Sequence, residues 1–212
     1  GGATTLAVEL SASRLLGPFF GTSTVIWAGI IGLILIYLAA GYFIGGHRAD
    51  RAPTSVRFYQ IVAWGAFASG ITPFGARLLL PLMASSGLPL GLATPLSLLV
   101  LFTVPVTLLG CIPPFAVRLA LATRDQTGRV AGRIYAVSTL GSVGGALVPV
   151  LYLLPEAGTT TTFLLFADVL LLMALLGLIL YDRRQFMRLL WMPAIHVLLW
   201  ASQLVAGLPA LL

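Results

Sequence analysis

Four charged residues lie within or beside long apolar runs of the sequence, at Glu9, Arg14, Arg77 and Asp168. Two acids and two bases between packed helices could neutralise one another and form a polar site for a cation or a proton. The alternative is that these side chains are structural clamps, or that the long arginines extend to the membrane interface. Glu9 precedes Arg14 by five residues, slightly off the spacing of a pair on one helix face, so spacing leaves both alternatives open.

The composition indicates what kind of scaffold must hold these charges. Of the 212 residues, 59% are hydrophobic and 8% are charged, whereas a soluble domain carries about 25% charged residues. We therefore predict an all-α fold, a polytopic membrane helix bundle that forms a single domain. The lipid bilayer is then the first partner of the chain. The net charge of +6 does not indicate nucleic-acid binding, because basic residues in a membrane protein mark cytoplasmic loops.

Hydropathy and turn residues predict about seven transmembrane helices. The clearest segment, Val25 to Ile44, is uncharged and spans about 30 Å as a helix, enough to cross a bilayer. Gly17-Pro18 is expected to end the first helix, and the threonine-rich stretch from Gly158 to Thr162 is expected to form a turn. The predicted spans are residues 2–17, 22–45, 58–83, 93–112, 131–154, 162–181 and 189–208.

The stretch from Arg129 to Pro155 carries small residues inside an apolar run. Small residues let the backbone of a neighbouring helix approach closely in a membrane, so this stretch is predicted to be a central helix with others packed on it. A phosphate-binding glycine loop is the alternative, but no strand precedes these glycines. The predicted packing residues are Ser138, Gly141, Ser142 and Gly145.

The arginines predict the orientation of the chain. Ten of the twelve basic residues fall in the loops after the second, fourth and sixth predicted spans, which lie on one side if every segment crosses. The positive-inside rule places those loops in the cytoplasm of a protein of the cell inner (plasma) membrane. The ten are Arg48, Arg51, Arg57, Arg118, Arg124, Arg129, Arg133, Arg183, Arg184 and Arg188.

The sequence shows no motif of a soluble enzyme: neither a Walker loop nor a zinc-protease helix nor a serine triad with a polar scaffold is present. Cys111 is the single cysteine, and His47 and His196 are far apart, so no metal site is predicted. No cofactor is expected either. Trp191 and Trp200 are predicted to anchor the last span at the membrane interfaces.

Three stretches resemble the membrane domain of fused spermidine-synthase-like proteins, in which a membrane domain precedes an aminopropyltransferase domain. They are AVELSASRLLGPFFG (Ala7 to Gly21), GYFIGGHRADR (Gly41 to Arg51) and GRIYAVSTLGSVGGALVPVLYLLPEAG (Gly132 to Gly158). The loop GGHRADR also resembles the major facilitator motif between transporter helices two and three, in which an aspartate and an arginine help to lock a conformation. The matching residues here are Gly46, Asp50 and Arg51, and Ala52-Pro53 stands where the motif continues with Gly-Arg-Arg.

The resemblance leaves three hypotheses for the function. The first is a non-catalytic membrane module, acting as a scaffold, anchor or accessory subunit with other membrane protein subunits as partners. The second is a small transporter of a polyamine or another cation. The third is the membrane anchor of an aminopropyltransferase whose catalytic domain is absent from this chain. The nucleoside-binding glycine loop and the acidic polyamine-binding residues of that enzyme are not found in these 212 residues.

Overall fold

The regular elements of this chain are helices. A computed structural model describes residues 1–121 and 127–207, and no strand occurs in those ranges. A π-helical turn, Pro149–Leu153, joins α6 to α7. The α-helices are α1 Gly2–Phe20, α2 Thr24–Arg51, α3 Ser55–Ser85, α4 Leu90–Gly110, α5 Ile112–Leu121, α6 Thr127–Val148, α7 Leu154–Glu156, α8 Gly158–Tyr181, α9 Arg183–Leu189 and α10 Trp191–Gly207.

These helices, singly or joined end to end, form stretches that can cross a membrane. Within the described ranges, six stretches are long and apolar enough to do so. The helix α1 has 19 residues and comes in addition to them. The predicted all-α, polytopic bundle is therefore confirmed. The six stretches are Thr24–Arg51, Ser55–Ser85, Leu90–Leu121, Gly128–Glu156, Gly158–Tyr181 and Arg183–Val205.

The helix at the centre of the bundle is α1, which packs against α2, α3, α4, α6 and α8. Its buried face carries Ala7, Val8, Ala12 and Leu16, and each of these is at most 2% exposed. Small and medium side chains at helical spacing let several helices approach α1 at once.

The prediction that the stretch from Arg129 to Pro155 forms the central helix is wrong. Only 11% of the spanning window within Gly128–Glu156 is buried, the smallest share among the six stretches. The helix α6 packs on α1 and α5 at the edge of the bundle. The reason is that small residues occupy one side of α6, while Val137, Leu140 and Leu147 on the rest of its surface are exposed.

The second helix is longer than predicted. The segment from Gly45 to Arg51, expected to be a loop, forms the last turns of α2. Helices tend to end just before proline because the proline ring restricts the preceding residue. Here Ala52, the residue before Pro53, is the first to leave the helix, with φ −157° and ψ 81°. The next helix begins at once, because Thr54 caps α3 by accepting a hydrogen bond from the backbone N–H of Arg57.

Other predicted boundaries also move. The helix α1 continues through Pro18 and ends before Gly21, where φ is +82° and favours glycine. The threonines expected in a turn belong to the first turns of α8, and the turn itself is at Ala157, immediately before α8 begins at Gly158. Pro149 cannot donate a backbone hydrogen bond, and the helix there changes to π-helical geometry.

The last predicted span, residues 189–208, corresponds to α10, while most of the short helix α9 lies in the loop predicted before it; the two helices are separated at Leu190. The predicted C-terminal boundary, residue 208, lies outside the described residues, as do Arg124 and its neighbour Asp125 in the loop before α6. The helical structure is interrupted between α4 and α5 only at Cys111. Pro113 and Pro114 fall in the first turn of α5, where no backbone N–H is needed for a helical hydrogen bond.

Candidate functional site: an aspartate, histidine and tryptophan between helices

Asp168, near the middle of α8, is held by two aromatic side chains of α10. Its Oδ1 lies within hydrogen-bond distance of Nδ1 of His196. Its Oδ2 accepts a hydrogen bond from the indole Nε1 of Trp200 over 2.6 Å. Both carboxylate oxygens therefore have a partner, as a charge in an apolar bundle requires.

The helical period of α10 creates this cluster. His196 and Trp200 are four residues apart and so face the same side of the helix. The imidazole stacks on Phe67 of α3, with ring centroids 5.5 Å apart and an interplanar angle of 16°. Gly70 of α3 makes room for it, since a Cβ at that position would lie 2.5 Å from Cε1 of His196. The helices α3, α8 and α10 thus meet at one polar point.

Two buried nitrogens of this face have no hydrogen-bond partner: Nε2 of His196 and Nε2 of Gln203. His196 is only 2% exposed, and Gln203 lies seven residues further along α10 on the same face. A histidine with one nitrogen on a carboxylate and the other free can hold a proton or donate to a small polar ligand. The same arrangement can also act as a clamp between helices.

Asp168 could be identified from the sequence, but its partners could not. His196 was discounted as a metal ligand because it is far from His47 in the sequence, and Trp200 was considered only as an interface anchor, although its indole donates a hydrogen bond to Asp168. The signal that could have identified them is the spacing of four between two polar-tipped aromatic residues in an apolar helix.

The other three charges of the apolar segments do not join Asp168. Arg77, near the end of α3, donates a hydrogen bond to Oγ1 of Thr160 over 3.3 Å and lies 5.1 Å from the centroid of the Phe74 ring. Glu9 is partly buried and Arg14 is exposed on α1. The ion pairs in the described part of the chain are Asp50 with Arg118 and Asp168 with His196, so the four charges do not form one network.

The motif residues Gly46, Asp50 and Arg51 lie at the end of α2, not in a loop. Oδ1 of Asp50 accepts a hydrogen bond from Nε of Arg118 of α5 over 3.1 Å, and the two side chains are 72% and 41% exposed. Such an exposed pair contributes about 0–1 kcal/mol. Arg51 instead lines a pocket formed by residues of α2, α3, α4 and α5.

The four predicted packing residues of α6 lie against the start of α1. A Cβ at Gly2 would approach Oγ of Ser138 and Oγ of Ser142, each at 2.8 Å. Gly141 lies close to Ala3, and a Cβ at Gly145 would overlap the carbonyl oxygen of Ala3. The stripe formed by these four small residues therefore packs against another helix of the same chain, α1.

We predict that Gly145→Leu destabilises the protein by about 1–3 kcal/mol, the usual cost of overpacking, because α6 must move away from Ala3. Gly144→Leu is the matched control, since a Cβ at Gly144 meets nothing within 4 Å. Both changes raise helix propensity equally, so their difference isolates the contact. Unfolding in mixed detergent micelles, followed by circular dichroism, measures both. Equal stability of the two variants would contradict the contact.

No group of three or more histidine, cysteine, aspartate or glutamate side chains that could hold a metal ion occurs in the described ranges. Cys111 is buried at the junction of α4 and α5, where it faces Gly45 of α2. Comparison of the chain with protein-family models, curated proteins and solved structures finds no match.

Proposed function

We propose that this chain is a non-catalytic integral membrane module, acting as a scaffold, anchor or accessory subunit of a larger complex in the cell inner membrane. The observation that carries the proposal is the position of α6. One side of this helix is fixed to α1 by small residues, yet only 11% of its spanning window is buried. The remaining surface is free for the helix of a partner subunit.

The outward side of α6 has the pattern of a helix-packing surface. Leu140, Gly144 and Leu147 follow one another at intervals of four and three, so they form a single stripe on α6. The leucines are 53–72% exposed. Open space at Gly144 leaves a depression in the stripe, and membrane helices pack closely at such small residues.

The resemblance to the membrane domain of spermidine-synthase-like proteins supports the same function. It adds one class of partner, an aminopropyltransferase domain, for which this bundle would be the anchor. The clustering of arginines in three loops supports an orientation in which those loops face the cytoplasm.

Photo-crosslinking in native membranes tests the proposal. A photoreactive amino acid is placed at Leu140 or Leu147, and at Leu172 of α8 as a control of similar exposure, 59%. We expect α6 to give an adduct of one discrete protein mass and the control to give lipid adducts only. Lipid adducts alone at both α6 positions would overturn the scaffold function.

A transporter is the second candidate, and the Asp168 cluster with its free histidine nitrogen favours it. Partly buried Glu9 in the central helix adds a second carboxyl group at membrane depth. The test is spermidine uptake into proteoliposomes by the wild type, Glu9→Gln and Asp168→Asn. Uptake that is lost while the variants stay folded would favour transport. No uptake by the wild type, or uptake unchanged in both variants, removes the role of these residues.

A further inference from the structure

Three arginines line a pocket at one end of the bundle. Arg48 and Arg51 come from the last turn of α2, and Arg57 comes from the first turn of α3. The pocket has a volume of about 620 Å³. None of the three arginines forms an ion pair within the described part of the chain, because the neighbouring Asp50 is engaged by Arg118. Among the described residues, the positive charge of the pocket is therefore not compensated by an ion pair.

The inner wall of the same pocket is apolar. It is formed by Ile61 and Trp64 of α3, Leu108 of α4 and Phe115 of α5. Trp64 is 44% exposed, and its amphipathic ring lies only two turns from Arg57, as is typical of aromatic residues at a membrane interface. A pocket with a cationic rim and an apolar wall suits a molecule that has an anionic head and an apolar body.

An apolar groove between α3 and α4 continues from this wall. Trp64 and Leu108 line both the pocket and the groove, whose volume is about 410 Å³. The groove reaches Leu79 on α3 and Val100 on α4. From Leu108 to Val100 it runs about 12 Å along the helix axis, about two-fifths of the roughly 30 Å hydrocarbon core of a bilayer.

We propose that this pocket and groove bind an anionic glycerophospholipid, with the phosphate held by Arg48, Arg51 and Arg57 and one acyl chain lying between α3 and α4. Guanidinium groups donate paired hydrogen bonds to phosphate oxygens, which favours arginine for this task. Basic pockets between membrane helices are suited to anionic headgroups. The site does not depend on the scaffold function proposed above.

Native mass spectrometry of the detergent-purified chain, titrated with phosphatidylglycerol and with phosphatidylcholine, tests the headgroup pocket. The test variant carries Arg48→Gln, Arg51→Gln and Arg57→Gln together. We expect the wild type to bind phosphatidylglycerol in preference, and the variant to bind it about 100-fold more weakly, at about fivefold per arginine. Unchanged binding by the variant would overturn the proposal.

The chain offers a control with the same change of charge. Arg183, Arg184 and Arg188 form a second basic group on α9 and do not line this pocket. Replacing these three with glutamine removes equal charge, so this variant is expected to retain most of the specific binding. If both triple variants lose binding equally, the lipid is attracted by net charge alone and the site does not exist.

Three further measurements separate a lipid from a free phosphate and do not depend on the folding of the triple variant. Val104→Trp fills the groove at a residue that is 58% exposed, without touching the arginines, and Leu172→Trp on α8 is its control. We expect only Val104→Trp to weaken lipid binding, and inorganic phosphate not to compete at equal concentration.

A phosphatidylglycerol carrying a photoreactive acyl chain should label α3 and α4 of the wild type. Labelling elsewhere, or full competition by phosphate, would overturn the proposal.

Discussion

Gly41→Leu is expected to be among the most damaging single changes in this chain, at or above the upper end of the roughly 1–3 kcal/mol that overpacking costs. A Cβ at Gly41 would overlap the backbone carbonyl oxygen of Thr107 and lie 2.8 Å from Cα of Gly110. The contact is reciprocal, since a Cβ at Gly110 would lie 2.8 Å from the carbonyl oxygen of Leu38. Backbone meets backbone here, so no side-chain rotation can relieve the overlap.

Gly45 extends the same seam by one turn, because a Cβ there would lie 2.5 Å from Cα of Cys111. Two glycines four residues apart thus let α2 lie directly on the junction of α4 and α5, as small residues do in membrane helix pairs. Leucine at position 41 would separate the helices along this whole seam. Part of the buried surface around Leu38 and Leu109 would then open.

The control for this prediction is Gly32→Leu in the same helix, where a Cβ meets nothing within 4 Å. Leucine is a better helix former than glycine, which is about 0.8–1.0 kcal/mol less favourable than alanine, so this variant should be as stable as the wild type or slightly more so. Unfolding by sodium dodecyl sulfate in mixed micelles, followed by circular dichroism, compares the two. A Gly41→Leu protein as stable as Gly32→Leu would mean that α2 does not lie on α4.

The helical content of the chain could be predicted because it depends on each segment alone. A bilayer requires every backbone group to bond within its helix, so an apolar run of sufficient length decides the structure regardless of its neighbours. Helix ends were less predictable. Gly45 and Gly46 suggest the end of a helix in water, but here Gly45 is buried against Cys111 and the helix continues to Arg51.

Helix pairing could not be read from hydropathy, because lipid-facing and helix-facing apolar side chains look alike in the sequence. The small residues of α6 could be recognised as a packing surface, yet they contact the start of α1 and leave α6 at the edge of the bundle. For the same reason Asp168 was identified and His196 was not. A charged residue stands out in an apolar run, whereas its partner is defined only by how α8 and α10 pack.

Asp168→Leu is expected to destabilise the bundle by about 3 kcal/mol, the lower end of the cost of removing one partner from a buried pair. The change leaves the Nδ1 side of His196 and the indole N–H of Trp200 without their acceptor. Asp168→Asn keeps one acceptor oxygen and should lose about half as much, since each unmet donor costs about 1–3 kcal/mol. Val169→Leu on the exposed side of α8 is the control.

Denaturation in mixed micelles measures these losses, and the order of the variants distinguishes a clamp from a ligand site. A clamp predicts a graded loss of stability from Val169→Leu through Asp168→Asn to Asp168→Leu. It also predicts that Asp168→Leu combined with His196→Phe recovers part of the loss, because the buried imidazole no longer lacks a partner. If Asp168→Leu is as stable as the wild type, the cluster does not hold the helices together. The carboxylate and the free imidazole nitrogen would then be retained for a proton or a ligand, as the transporter candidate requires.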